Sequence, residues 1–115
     1  MNLMKIKTLL TVTALCLGLS TAAADRIISQ AYEVVLSEFT APVTENGGAT
    51  FKECGDCERR IVRVTSSTRY GVNGRAVTLD EFRRAIAQAD DQDEKSVTVL
   101  HHLESDTIVS IDVYI

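Results

Sequence analysis

A two-residue turn between two short segments constrains the fold of this chain more than any other sequence feature. The dipeptide Asn73-Gly74 separates segment 70–72 (Tyr-Gly-Val) from segment 75–77 (Arg-Ala-Val). Asn-Gly in this position is typical of a type I′ turn, because both central residues of that turn need a positive φ. We therefore predict an antiparallel hairpin in which Tyr70 lies opposite Val77.

A capped helix is predicted directly after the hairpin, at about 79–89. Thr78 is followed three residues later by Glu81, which is the spacing of a capping box. Apolar residues then recur at helical spacing and define one buried face, formed by Leu79, Phe82, Ile86 and Ala89. The acidic run 90–94 is unfavourable at the carboxyl end of a helix dipole and indicates the loop that ends it.

Strands are predicted on both sides of this hairpin and helix. Segment 60–65 is β-branched and fits one strand. Segments 97–103 and 109–115 alternate between apolar and polar residues, and the short connection 104–106 predicts that they form an antiparallel hairpin. The expected buried faces are Val97, Val99, His101 and Leu103 on the first strand, and Val109, Ile111, Val113 and Ile115 on the second.

The order strand, hairpin, helix, hairpin predicts an α+β fold with one helix packed on one face of a small, mostly antiparallel sheet. Segment 26–39 is ambiguous, since its apolar residues fit a helical stripe whereas its central residues have strand composition. We favour the strand, returned by the turn at 46–48 against 49–52. Pro42 marks a boundary under either interpretation.

The first 24 residues have the pattern of a cleavable signal peptide. Lys5 and Lys7 precede an uncharged, mostly apolar run at 8–20, and small residues follow before Asp25. The run is too short for the roughly 20 residues that a membrane helix needs. We expect a periplasmic or secreted protein with a single mature domain at 25–115. Its N-terminal region, 25–57, contains a cysteine pair, and 58–115 forms the hairpin–helix–hairpin core.

The charge of the mature chain argues against several partners. Removal of Lys5 and Lys7 takes the formal charge from −4 to −6. An acidic domain without a basic stripe is not expected to bind nucleic acid or anionic lipid. Nor is any stable membrane span expected after cleavage.

The sequence Cys54-Gly55-Asp56-Cys57 is the one chemically distinctive motif. Export would expose both thiols to an oxidising compartment, so a structural disulfide is the first interpretation. Its loop is short, and the loop-entropy relation gives only about 2 kcal/mol of stabilisation. Cys16 is expected to leave with the signal peptide.

A thiol–disulfide redox protein that uses Cys54 and Cys57 is the alternative. Reactive C-x-x-C pairs take their low thiol pKa from a helix amino end or from positive charge. Here Glu53, Asp56 and Glu58 surround the motif, and a strand is predicted after it. These features do not favour a thiolate.

A metal-handling protein is the third interpretation, since Cys54, Cys57, His101 and His102 are nominally a Cys₂His₂ set. Adjacent residues of a strand point to opposite faces, so at most one of the two histidines could join the cysteines. Haem attachment is excluded because Glu58 stands where C-x-x-C-H requires histidine.

No motif of nucleophilic, phosphate-binding or zinc-protease chemistry occurs in the chain. We therefore expect no catalytic residue, no cofactor and no metal site, and an activity that is not enzymatic. The leading hypothesis is an exported binding or accessory module of the cell envelope. Its partner is unknown, and another envelope protein is one candidate.

Overall fold

A computed structural model describes residues 28–115, so the predicted signal peptide lies outside the described residues. Two short 3₁₀ helices, Leu36–Glu38 and Gln92–Glu94, interrupt the strands. The strands and the α-helix are, in chain order, β1 (Ser29–Val35), β2 (Phe39–Thr40), β3 (Gly48–Lys52), β4 (Arg59–Arg63), β5 (Arg69–Val72), β6 (Arg75–Val77), α1 (Leu79–Gln88), β7 (Ser96–His102) and β8 (Thr107–Tyr114). Among residues 28–115, no helix has the length and apolar character that a membrane crossing requires.

The eight strands form one mixed sheet, with the order β1-β7-β8-β4-β3-β2 and the β5–β6 hairpin attached to β8. One edge of β8 pairs with β7 in the antiparallel direction. Its other edge pairs in parallel with β5 along Arg69–Val72 and with β4 at Arg63. The expectation of a mostly antiparallel sheet is therefore corrected to a mixed sheet. Alternation of apolar residues reveals a strand but not the direction of its neighbour, which is why the parallel pairs were missed.

The sheet curls around its own core. Strands β1 and β2 stand at opposite ends of the strand order, yet only the 3₁₀ helix Leu36–Glu38 separates them in the chain. The ring of Tyr32 on β1 lies 5.5 Å from the ring of Phe51 on β3. The enclosed core comprises Tyr32, Val34, Leu36, Phe39, Ala49, Phe51, Val62, Val64, Tyr70, Phe82, Val97, Val99, Ile108, Ile111 and Val113.

The amino-terminal segment is a strand, and the helical alternative for 26–39 is wrong over its described part. Its pairing also differs from the prediction. Strand β1 pairs along its whole length with β7, and only β2 (Phe39–Thr40) returns against β3. Strand composition alone predicts an extended segment, but it does not identify a partner 61 to 73 positions away in the sequence.

The predicted hairpin at Asn73-Gly74 is confirmed, including the pairing of Tyr70 with Val77. Asn73 has a φ of 51° and Gly74 a φ of 86°, as a type I′ turn requires. Because a side chain at the Gly74 φ would be strained, the turn depends on glycine there. Thr78 follows the hairpin directly and is the N-cap of the helix.

The predicted helix is confirmed over Leu79–Gln88, with Ala89 as its C-cap. Both capping-box bonds form: the Glu81 backbone N–H donates to Thr78 Oγ1 at 3.2 Å, and the Thr78 N–H donates to Glu81 Oε1 at 2.9 Å. These bonds to Thr78 lower the pKa of the Glu81 carboxyl. Phe82 is fully buried, with its ring 5.2 Å from the ring of Tyr70.

The C-terminal hairpin is confirmed, but a β-bulge alters its buried face. Leu100 pairs with Ser110 whereas His101 pairs with Ile108, so Val109 is the extra residue of β8. Ile108 is consequently 2 % exposed and takes the core position predicted for Val109. A period-two pattern cannot show this shift, because the bulge reverses the alternation beyond it.

Candidate binding site

The predicted disulfide is present at the tip of the β3–β4 hairpin. Cys54 and Cys57 are joined with their Cα atoms 5.1 Å apart, and the Cys57 N–H donates to the Cys54 carbonyl at 3.2 Å. Cys54 is exposed and Cys57 is half-buried. The loop leads into β4, so no helix amino end is available to stabilise a thiolate.

A chain of polar contacts that the sequence did not predict connects β7 to this loop. His101 is only 4 % exposed, and its ring contacts Tyr32 Oη through Nδ1 at 3.3 Å and Asp106 Oδ1 through Nε2 at 2.8 Å. Arg60 donates to Tyr32 Oη at 3.3 Å, and its guanidinium carbon lies 5.2 Å from the centre of the Tyr32 ring. Arg60 also forms an ion pair with Glu53, the residue before the disulfide.

The directions of these hydrogen bonds follow from the chemistry of the partners. The Asp106 carboxylate only accepts, so His101 Nε2 carries a hydrogen and donates it. With one hydrogen on the ring, Nδ1 accepts from the Tyr32 hydroxyl, and the hydroxyl oxygen accepts from Arg60. Each group therefore has a consistent role, and the chain ties β7, β1 and β4 to the base of the disulfide loop.

The backbone of β1 has one free edge. Leu103 N–H donates to the Ile28 carbonyl at 2.8 Å and Leu36 N–H donates to the Lys95 carbonyl at 2.9 Å, and both bonds continue the register of the β1–β7 ladder. In an antiparallel ladder, hydrogen-bonded pairs alternate with non-bonded pairs. The even-numbered residues of β1 therefore bond to β7, and the odd-numbered residues direct their N–H and C=O groups outward. The outward set is Ser29, Ala31, Glu33 and the N–H of Val35, and within residues 28–115 no strand pairs with these groups. The Val35 carbonyl accepts the first bond of the 3₁₀ helix Leu36–Glu38.

A groove lies between this strand and the disulfide loop. It encloses about 340 Å³, and it forms because β1 and β3 approach across the curled sheet while β2 covers only two residues of β3. We call it the β1 groove, and its lining residues are Glu33, Val35, Ser37, Glu38, Lys52, Glu53, Cys54, Gly55 and Asp93. An open strand edge beside a groove is a surface on which an extended polypeptide can pair.

The β1 groove is negatively charged. Its single basic residue is Lys52, whose Nζ lies 3.9 Å from Glu38 Oε2. Glu38 also pairs with Arg59, whose Nη2 lies 3.4 Å from Glu38 Oε1. Glu33 and Asp93 form no ion pair within residues 28–115. Two carboxylates of the groove are therefore left without a positive partner in this part of the chain.

The four residues of the nominal metal set do not converge. His101 is held by Tyr32 and Asp106, whereas His102 Nδ1 lies 3.0 Å from Ser105 Oγ on the other face of β7. Residues 28–115 contain no group of three or more His, Cys, Asp or Glu side chains arranged to hold a metal ion. The chain matches no known family model, and comparisons with curated proteins and with solved structures gave no match.

Proposed function

We propose that this chain is a non-enzymatic binding module that takes an extended segment of a partner protein as an additional strand on β1. The observation that carries this proposal is the outward row of N–H and C=O groups on β1, which no strand within residues 28–115 pairs, beside the β1 groove. Strand addition to an open sheet edge is a common mode of peptide recognition. The module works outside the cytoplasm, a location supported by the export pattern at 1–24 and by the joined cysteines.

Main-chain pairing supplies part of the binding free energy. A guest strand that pairs with Ala31 and Glu33 forms about four backbone hydrogen bonds, each with a net contribution of about 0.5–1.5 kcal/mol. Ordering a flexible guest offsets much of this gain. Side-chain contacts in the β1 groove must therefore provide the rest of the affinity and the choice of partner.

Natural edge strands usually carry features that prevent such pairing, including proline, lysine, bulges and short length. Strand β1 has seven residues, contains neither proline nor lysine, and keeps an unbroken register with β7. Its only charged side chain is Glu33. The edge is therefore suited to accept a strand rather than to repel one.

The proposal is tested by selecting binders from displayed random twelve-residue peptides and comparing them on two variants. Ala31→Pro removes one outward N–H without breaking a bond of the β1–β7 ladder, a position where strands tolerate proline. Ala31→Val keeps that N–H and serves as the matched control. We expect selected peptides to lose at least about ten-fold in affinity on Ala31→Pro, equal to about 1.4 kcal/mol, and to bind Ala31→Val normally.

A second test leaves the protein unchanged. Selected peptides are resynthesised with N-methyl groups on alternate residues, in the two possible registers. Methylation in the register that pairs with β1 should abolish binding, whereas methylation in the other register should have little effect. Equal effects of the two registers, or normal binding to a folded Ala31→Pro variant, would refute strand addition.

A further inference from the structure

The charges of the β1 groove indicate the chemistry of its occupant, an inference that rests on the proposed function. Glu33 lies on β1 and Asp93 in the 3₁₀ helix Gln92–Glu94, and both line the groove. Among the nearby basic side chains, Lys52 and Arg59 pair with Glu38 and Arg60 pairs with Glu53, while Lys95 does not line the groove. Within residues 28–115 the groove therefore keeps two carboxylates, Glu33 and Asp93, without an ion-pair partner, and a cationic guest would neutralise them.

The side chains of β1 also set the spacing of the guest. Glu33 and Val35 are two residues apart, so they point to the same face of the sheet. Val35 is 43 % exposed, which leaves an apolar surface next to the carboxylate. A paired guest strand would place side chains opposite these two residues, again two positions apart and on that same face. Complementarity calls for a basic residue opposite Glu33 and an apolar residue opposite Val35.

We infer that the occupant is a basic, extended segment of another protein, with a Lys or Arg and an apolar residue two positions apart. A second copy of this chain fits poorly, since its own β1 carries Glu33 and no basic residue. The acidic charge of the whole chain disfavours self-association further. Charge complementarity therefore favours a cationic partner over a homodimer.

Three seven-residue peptides test this inference on the purified chain by fluorescence anisotropy. The basic peptide is Thr-Lys-Thr-Val-Thr-Lys-Thr, in which valine can meet Val35 while one lysine meets Glu33 and the other lies toward Asp93. The control peptides replace both lysines with glutamine or with glutamate. We expect the basic peptide to bind about ten-fold more tightly than the glutamine peptide, and the glutamate peptide to bind most weakly. The preference should decrease with added salt.

Variants of the chain locate the charge effect. Glu33→Lys should reverse the order of the basic and glutamate peptides, whereas Asp80→Lys, on the helix and outside the groove, should leave the order unchanged. If all three peptides bind equally and Ala31→Pro weakens each of them, the basic preference is wrong but strand addition is supported. Binding that ignores Ala31→Pro would overturn strand addition itself. Sedimentation equilibrium tests the homodimer. A parent chain that is dimeric and an Ala31→Pro variant that is monomeric would identify a second copy as the occupant and overturn this inference.

Discussion

Removing one buried tyrosine hydroxyl should destabilise the protein at one position of the core but not at another. Tyr32 and Tyr70 are each 6 % exposed. The Tyr32 hydroxyl contacts His101 Nδ1 and accepts from Arg60. The Tyr70 hydroxyl is buried without a hydrogen-bond partner among the described residues. The same substitution therefore deletes a satisfied group at one site and an unsatisfied group at the other.

The expected magnitudes follow from these partners. Tyr32→Phe leaves His101 Nδ1 buried and unpaired, while Arg60 keeps Glu53 and its contact with solvent. We expect a loss of about 1–2 kcal/mol in the free energy of unfolding, the cost of a buried unsatisfied polar atom. For a domain of this size that loss lowers Tm by roughly 4–16 °C. Tyr70→Phe removes an existing desolvation cost, so stability should stay unchanged or rise by up to about 1 kcal/mol.

Urea unfolding followed by circular dichroism measures both variants against the parent. Tyr114→Phe is the matched control, since Tyr114 is 50 % exposed and its loss should change stability by less than about 0.5 kcal/mol. Two-state behaviour and a constant m-value are required for the comparison. Equal destabilisation by Tyr32→Phe and Tyr70→Phe, or a Tyr32→Phe variant as stable as the parent, would refute the assignment of the polar chain.

Tyr70 also predicts a pH dependence. Burial, with a smaller contribution from Glu45, raises the pKa of the Tyr70 hydroxyl above its ordinary value of 10.0. The unfolded chain releases this proton more readily than the folded chain. The free energy of unfolding is therefore unaffected by this group below about pH 10, and it decreases as the pH rises through the folded-state pKa. The stability of the parent should therefore fall more steeply above pH 10 than that of Tyr70→Phe. Identical alkaline slopes in urea unfolding would contradict this account of Tyr70.

Further substitutions test the turn, the cap and the disulfide. Gly74→Val should cost about 1 kcal/mol or more because it places a β-branched residue at a φ of 86°, whereas Gly55→Ala, whose added Cβ meets no atom within 4 Å, should be neutral in urea unfolding. Thr78→Ala should cost about 1 kcal/mol through the lost cap, and a variant that melts like the parent would contradict this. Replacing Cys54 and Cys57 by serine should cost about 2 kcal/mol. Mass spectrometry after thiol trapping should find the pair fully oxidised in envelope-derived protein, and a mixed thiol and disulfide population would favour the redox alternative.

The parts of the fold that follow from short-range physics could be predicted from the sequence. The Asn73-Gly74 turn requires positive φ at two adjacent residues, and the Thr78–Glu81 box satisfies backbone donors within one helical turn. Both signals lie within a few residues of the structure that they determine. The hairpin and the helix were therefore predicted with nearly correct ends.

Long-range pairing could not be predicted in the same way. Alternation in 109–115 indicates a strand but does not show the bulge at Val109 or the parallel neighbours of β8. The partner of β1 depends on the order of the whole sheet, and so does the free edge that forms the candidate site. No local pattern contains that information.

The polar chain was missed for a related reason. His101 alternates with Val97 and Val99, so the sequence indicated a core position, which the structure confirms. A buried histidine needs hydrogen-bond partners, and this requirement was the only available signal. Tyr32, one of those partners, is 69 positions away in the chain, and the pairing of β1 with β7, in which Tyr32 lies opposite Val99, brings the two side chains together.

Amide hydrogen exchange along β1, measured by NMR in the free protein and with a selected peptide bound, tests the central claim most directly. In the free protein the amides of Ala31 and Glu33 should exchange much faster than those of Tyr32 and Val34, which donate to β7. Binding of the peptide should slow Ala31 and Glu33 selectively. Slow exchange at Ala31 and Glu33 in the free protein, or unchanged rates in the complex, would contradict strand addition at the edge of β1.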